Sequence, residues 1–143
     1  QNKGAGKKNR MQEGFRCGMV LESIYGIFIF LVCFIFAKPL MCLFVQDEEV
    51  IMHGVTYLHL ISIMYILPAF TNGIQGFFRG IGDLKITLIS SLVNMTVRVI
   101  VAAPLVFSLH LGIEALPYSY LAGWIGMLMA ELPLLIRTYK AYE

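Results

Sequence analysis

Two series of polar side chains recur at helical spacing inside sequence that is otherwise apolar. Tyr65, Pro68, Asn72, Gln75 and Arg79 are separated by 3, 4, 3 and 4 residues. At ~100° per residue they fall within an arc of about 80°, one stripe of a helix. Thr87, Ser91, Asn94 and Arg98 repeat the pattern at 4, 3 and 4. Amides, hydroxyls, a phenol and guanidinium groups can exchange hydrogen bonds, hold water or meet ions. In hydrocarbon each costs free energy unless it finds a partner or water, so its placement carries information. Two such stripes on neighbouring helices most simply face each other or share a wet cavity. Interhelical hydrogen bonds, typically ~0.6 to 2 kcal/mol per contact, would account for them. A solvated pathway would do so equally, with Tyr65, Asn72, Gln75, Asn94 and Arg98 as candidates for its wall.

Arg98 constrains its surroundings most. It lies thirteen residues beyond Lys85, ~20 Å along a helix crossing a ~30 Å hydrocarbon core. Snorkelling from there is strained, so its helix must turn it toward protein or water. A clamp on carbonyls or a carboxylate is the first reading; contact with a substrate or counter-ion is the second. Glu22 and Glu131 are the carboxylates within apolar stretches, and a carboxyl group kept from water can carry a proton. Each is six residues from an arginine, Arg16 or Arg137, and so ~9 Å from the boundary. The plainer expectation is an interfacial acid paired with that arginine. Gly18 and Gly26 flank Glu22, and Gly123, Gly126 and Ala130 share a face of the last stretch; small residues at this spacing favour close helix packing. His53, His59 and His110 have no ligand spacing, and Cys17, Cys33 and Cys42 form neither a disulfide framework nor a zinc site. No metal is expected. The sequence contains no nucleophile–base pair and no phosphate-binding glycine loop, which argues against an enzyme.

The elements that position these groups are four long apolar stretches, at about 17–37, 49–79, 85–111 and 118–137. Each reaches the ~20 residues that a helix needs to cross a bilayer. The chain is 58% hydrophobic and 14% charged, with a mean hydropathy of +0.75; soluble domains carry nearer ~25% charge. The expected fold class is an all-α integral membrane protein with four transmembrane helices. A buried soluble bundle would need a polar face on each helix, and Ile27–Phe36 has none. No run alternates as a barrel strand would.

Charge sets the expected orientation. Lys3, Lys7, Lys8, Arg10 and Arg16 precede the first stretch, Arg79 and Lys85 flank the middle turn, and Arg137 and Lys140 follow the last stretch. Lys38 alone lies on the opposite side, with Asp47, Glu48, Glu49 and Glu114. The positive-inside rule places both ends in the cytoplasm. This bias reflects topology and suggests no nucleic-acid partner. Residues 1–16 are then a basic cytoplasmic loop. Pro39 ends the first helix, and 40–45 form a short apolar piece at the outer interface. Asp47 caps the second helix, and Pro68 kinks or breaks it. Arg79, Gly80, Gly82 and Asp83 make the tight cytoplasmic turn. No secretory signal peptide is visible, and a chain opening on Gln1 in a Gly/Lys-rich loop reads as a piece of a longer protein.

These landmarks, in this order, resemble a known family. Asn2-Lys-Gly-Ala-Gly-Lys-Lys-Asn-Arg10 is similar to the Asn-x-Gly-Ala-Gly…Arg loop of multidrug and toxic compound extrusion (MATE) transporters. Phe36-Ala-Lys-Pro-Leu40 and Asp47-Glu-Glu-Val-Ile51 resemble the exit and re-entry around the next outer loop. Phe78-Arg-Gly-Ile-Gly-Asp83 resembles the Leu-Arg-Gly-x-Gly-Asp turn, and Val97-Arg98-Val99 with Pro104 the Arg-containing penultimate helix. The resemblance implies helices nine to twelve of a twelve-helix transporter, the end of its second six-helix lobe, with the remaining eight helices and the bilayer as partners. It implies antiport of organic cations, drugs or toxic compounds against protons or sodium by alternating access, in the plasma membrane. One departure stands out. The sodium-coupled subfamily has an aspartate about eleven residues before its Arg-Gly turn, and here Leu67-Pro68 takes that place. No cofactor is implied, and the coupling ion, H+ or Na+, is not expected to bind within these residues. Alternatives are a lipid-linked saccharide flippase of the same superfamily and a stand-alone four-helix membrane scaffold or channel.

Overall fold

The computed structural model describes residues 1–141. Its elements are α1 (Lys8–Ile35), α2 (Ala37–Cys42), α3 (Glu48–Met64), α4 (Ile66–Gly80), α5 (Leu84–Phe107) and α6 (Ala115–Ala141). Helices α1, α5 and α6 are each long and apolar enough to cross a membrane, and α3 with α4 passes the same test as a bent pair. That makes three spans, or four with the bent pair. Large apolar side chains, such as Val20, Leu21, Ile24, Ile27 and Phe28, cover the outer face of α1. Exposed at this density, they suit hydrocarbon and not water. The chain is a multi-pass, all-helical membrane protein.

The helix ends follow local chemistry and differ from the apolar stretches. α1 begins at Lys8, nine residues before the apolar run, because Lys8–Arg16 contains good helix formers that continue the hydrogen-bond ladder outside the core. The first helix stops at Ile35, and Pro39 falls inside the first turn of α2, where its missing N–H is not needed. Asp47 caps α3 by accepting from the N–H groups of Glu49 (3.0 Å) and Val50 (3.1 Å). The expected break in the second span is real: α3 and α4 meet at Tyr65 with a bend of 49°. Pro68 is the cause, since it has no N–H to offer the carbonyl of Met64.

α4 ends in a Schellman motif, with Asp83 N–H donating to Phe78 O (2.9 Å) and Gly82 N–H to Arg79 O (3.1 Å). Gly82 takes φ +84° there. Nearby, Lys3 Nζ donates to Ile81 O at 2.6 Å, tying residues before α1 to this turn. α5 ends at Phe107, short of Leu111, and His110 in the loop beyond it adopts φ 50°. α6 runs beyond both expected ends, to Ala115 and Ala141.

α1 packs on α3 and α4, α4 also packs on α6 and α5, and α5 and α6 form an antiparallel hairpin in contact along its length. Ile74, Phe78 and Ile86 make the buried core where α4, α5 and α6 converge. Gly26 lets α1 approach α4, since a Cβ there would stand 3.1 Å from Ala69 Cβ. Gly123 and Gly126 do the same for α6 against Arg98 and Val97 of α5, whereas a Cβ on Gly18 would meet nothing within 4 Å.

Candidate functional site

Three polar arrangements occur among the described residues. The first is a groove of about 710 Å³ between the Lys8 half of α1 and the Gly80 half of α4. Glu22 and Tyr25 line it from α1, Asn72 and Arg79 from α4, and Arg10 and Lys3 close one end. Gly18 and Gly76 leave the space open, since a Cβ on either would meet nothing within 4 Å, whereas Gly73 gives close passage to Met19 of α1. Carboxylate, amide and phenol along the wall, with three cations toward one end, form a surface that can hydrogen-bond a polar solute and hold water. Glu22 lies half-buried in this groove, and both Arg79, which also lines it, and Arg16, the expected partner, are exposed.

The second arrangement joins α4 to α6. Gln75 Nε2 donates to Glu131 Oε1 at 3.0 Å. Gln75 is 5% exposed and Glu131 is 0% exposed. Ser90 of α5 lies close to the same carboxyl group. The expected pairing of Glu131 with Arg137 is therefore corrected: six residues turn the helix through ~240°, so the two side chains leave α6 about 120° apart, Glu131 buried and Arg137 exposed. Gln75 is also parted from Asn72. They share a stripe, yet Asn72 opens to the α1 groove while Gln75 turns into the α6 interface.

The third arrangement joins α5 to α6. The Arg98 guanidinium lies 3.5 Å from the centroid of the Tyr120 ring, and Asn94 Nδ2 donates to Met127 Sδ at 3.3 Å. The expected clamp on carbonyls or a carboxylate is corrected to an aromatic face, which attracts a cation through its quadrupole. The two stripes do not face each other across α4 and α5. α6 lies against both helices and takes Gln75 from one and Asn94 with Arg98 from the other. Tyr65 sits at the bend, Pro68 beside it, and neither lines the groove; Gly82 and Asp83 belong to the turn. His59 meets Phe34 O at 3.1 Å and stacks near that ring. Among the described residues no group of three His, Cys, Asp or Glu side chains could hold a metal ion.

Tyr120, Ser90 and Met127 were missed as partners by the sequence reading. The small residues Gly123 and Gly126 marked the right face of α6, and Tyr120 is one turn before Gly123 on that face. Only the register of the hairpin could have turned that into a contact.

Residues 1–105 match the MatE family. A relative, "Probable multidrug resistance protein NorM" of Thermotoga maritima, is 25% identical over 126 residues, which cover 87% of this chain and 26% of that protein. The chain thus spans about a quarter of the length of the curated relative it matches. No solved structure matches it. The match runs from the N-terminal loop through α4 and most of α5, the elements that build the groove and carry both polar stripes, and on that ground the chain belongs to the MatE family.

Proposed function

We infer that these residues form the last four spans of a twelve-helix transporter, the end of its second six-helix lobe, with eight further helices as partners in the bilayer. The transporter exports organic cations, drugs or toxic compounds in exchange for protons or sodium by alternating access, and works in the plasma membrane with both ends of this segment in the cytoplasm. The observation that carries this reading is the MatE match over 1–105; the name of the Thermotoga relative, a multidrug resistance protein, supports the substrate class. The groove between α1 and α4 supports a role in forming the polar wall of the path, with Asn72 as the exposed amide that α4 contributes. Leu67-Pro68, apolar where the sodium-coupled subfamily has an acid, favours a coupling cation held elsewhere than beside Pro68.

The test is efflux of a panel of organic cations by the full-length protein in proteoliposomes, with the proton and the sodium gradient collapsed separately. Collapse of one gradient should abolish efflux, and Asn72→Leu should lower it several-fold at equal protein level. Efflux indifferent to both gradients would sink the antiport reading. Normal efflux by the Asn72 variant would remove the groove from the path.

A further inference from the structure

Glu131 is a fully buried carboxyl group for which the groove has no use. On α6 it is flanked, one turn to either side, by Leu128 and Leu135, which pack on the core of Ile74, Phe78 and Ile86. In that apolar setting Oε1 accepts from Gln75 Nε2 at 3.0 Å. Ser90 is close by, yet Oε2 is buried with no hydrogen-bond partner among the described residues.

We propose that Glu131 is a proton-binding site, with the proton on Oε2 and Oε1 as the carbonyl that receives the Gln75 N–H. An ionised carboxylate offers acceptor sites only, about four on two oxygens. Here one amide N–H is in place, and a bare charged oxygen in an apolar core costs far more than taking up a proton. Among the described residues no cation offsets that charge from the elements packed around it. α4 presents Gln75, and Arg79 one turn on is exposed and lines the α1 groove. α5 presents Ser90 and Thr87; Lys85 is exposed at its start and Arg98 is stacked on Tyr120, about two turns past Ser90. α3 presents Tyr57, within electrostatic reach of Tyr120 and Arg98. On α6 itself Arg137 is exposed. A metal cation is a poorer occupant, because one carboxyl group, one amide oxygen and one hydroxyl fall short of the six or so oxygens that hard cations gather.

The bound proton lets α4, α5 and α6 meet at one point. Its release leaves a carboxylate at the junction, which must draw in water or part α6 from α4. The site is therefore a pH-sensitive contact between two spans, and it stands whether or not the whole protein exports anything.

Infrared difference spectroscopy of the full-length protein in lipid at neutral pH tests this directly. Wild type minus Glu131→Gln should show the loss of one carbonyl stretch of a protonated carboxylic acid, with the carboxylate bands unchanged. Gln75→Leu should keep that stretch and move it to higher wavenumber, because the carbonyl has lost its N–H. Loss of carboxylate bands in Glu131→Gln would overturn the proposal. If that variant does not fold, Gln75→Leu against wild type decides alone: a displaced protonated-acid band supports the site, and an unchanged region overturns it.

Discussion

Arg98 illustrates how a charge is accommodated within a span. Its guanidinium rests on the Tyr120 ring at 3.5 Å, and its stem crosses Gly123, where a Cβ would stand 2.5 Å from Arg98 Cγ. Such a stack is worth ~0.5 to 2 kcal/mol, more when desolvated. A double-mutant cycle with Arg98→Met and Tyr120→Leu, read from thermal unfolding of the full-length protein in detergent, should return a coupling of that size. Tyr120→Phe should retain most of it, since the ring face is preserved. Additive losses would mean that the two side chains are neighbours without attraction. That Arg98 needed a partner was legible from its depth, thirteen residues beyond Lys85. That the partner is an aromatic ring was not, because nothing local to Arg98 encodes the offset between α5 and α6. The same limit hid Glu131 from Gln75, which lies 56 residues away.

At the scale of elements, breaks and caps were legible because each acts within one turn. Asp47 caps α3, Pro68 accounts for the 49° bend, and Gly82 occupies the positive-φ position of the turn after α4. Span ends were not, since apolar composition reports where lipid begins while the ladder continues as far as propensity allows. α1 starting at Lys8 is the clearest case. Two glycines of the same turn give predictions of opposite sign. A Cβ at Gly80 or at Gly82 meets nothing within 4 Å, but Gly82 has φ +84° and Gly80 is helical. Gly82→Ala should therefore destabilise the protein by ~1 to 2 kcal/mol through left-handed strain alone. Gly80→Ala should be neutral or stabilising by ~0.4 to 1 kcal/mol, because the unfolded chain loses freedom. Equal shifts of the unfolding midpoint in the two variants would remove φ as the cause.

For the whole molecule, orientation follows from charge and threading together. Lys3 reaching Ile81 O places the N-terminal segment and the α4–α5 turn at the same end of the bundle. α5 then runs away from that end and α6 returns to it, so Arg137 and Lys140 join Lys3, Lys7, Lys8, Arg10, Arg16, Arg79 and Lys85 there. Lys38 and the acids Asp47, Glu48, Glu49 and Glu114 occupy the other end. Basic loops resist translocation, so the crowded end should face the cytoplasm. Cys42 is a native reporter of the other end: it is exposed at the close of α2, four residues beyond Lys38. In the full-length protein with Cys42 as its single cysteine, a membrane-impermeant maleimide added to intact cells should label it. A cysteine placed instead at Lys85, exposed at the start of α5, should react only after the membrane is opened. The reverse pattern would invert the molecule. It would also turn the groove between α1 and α4, which lies at the basic end with Lys3 and Arg10, from a cytoplasmic entrance into an external exit.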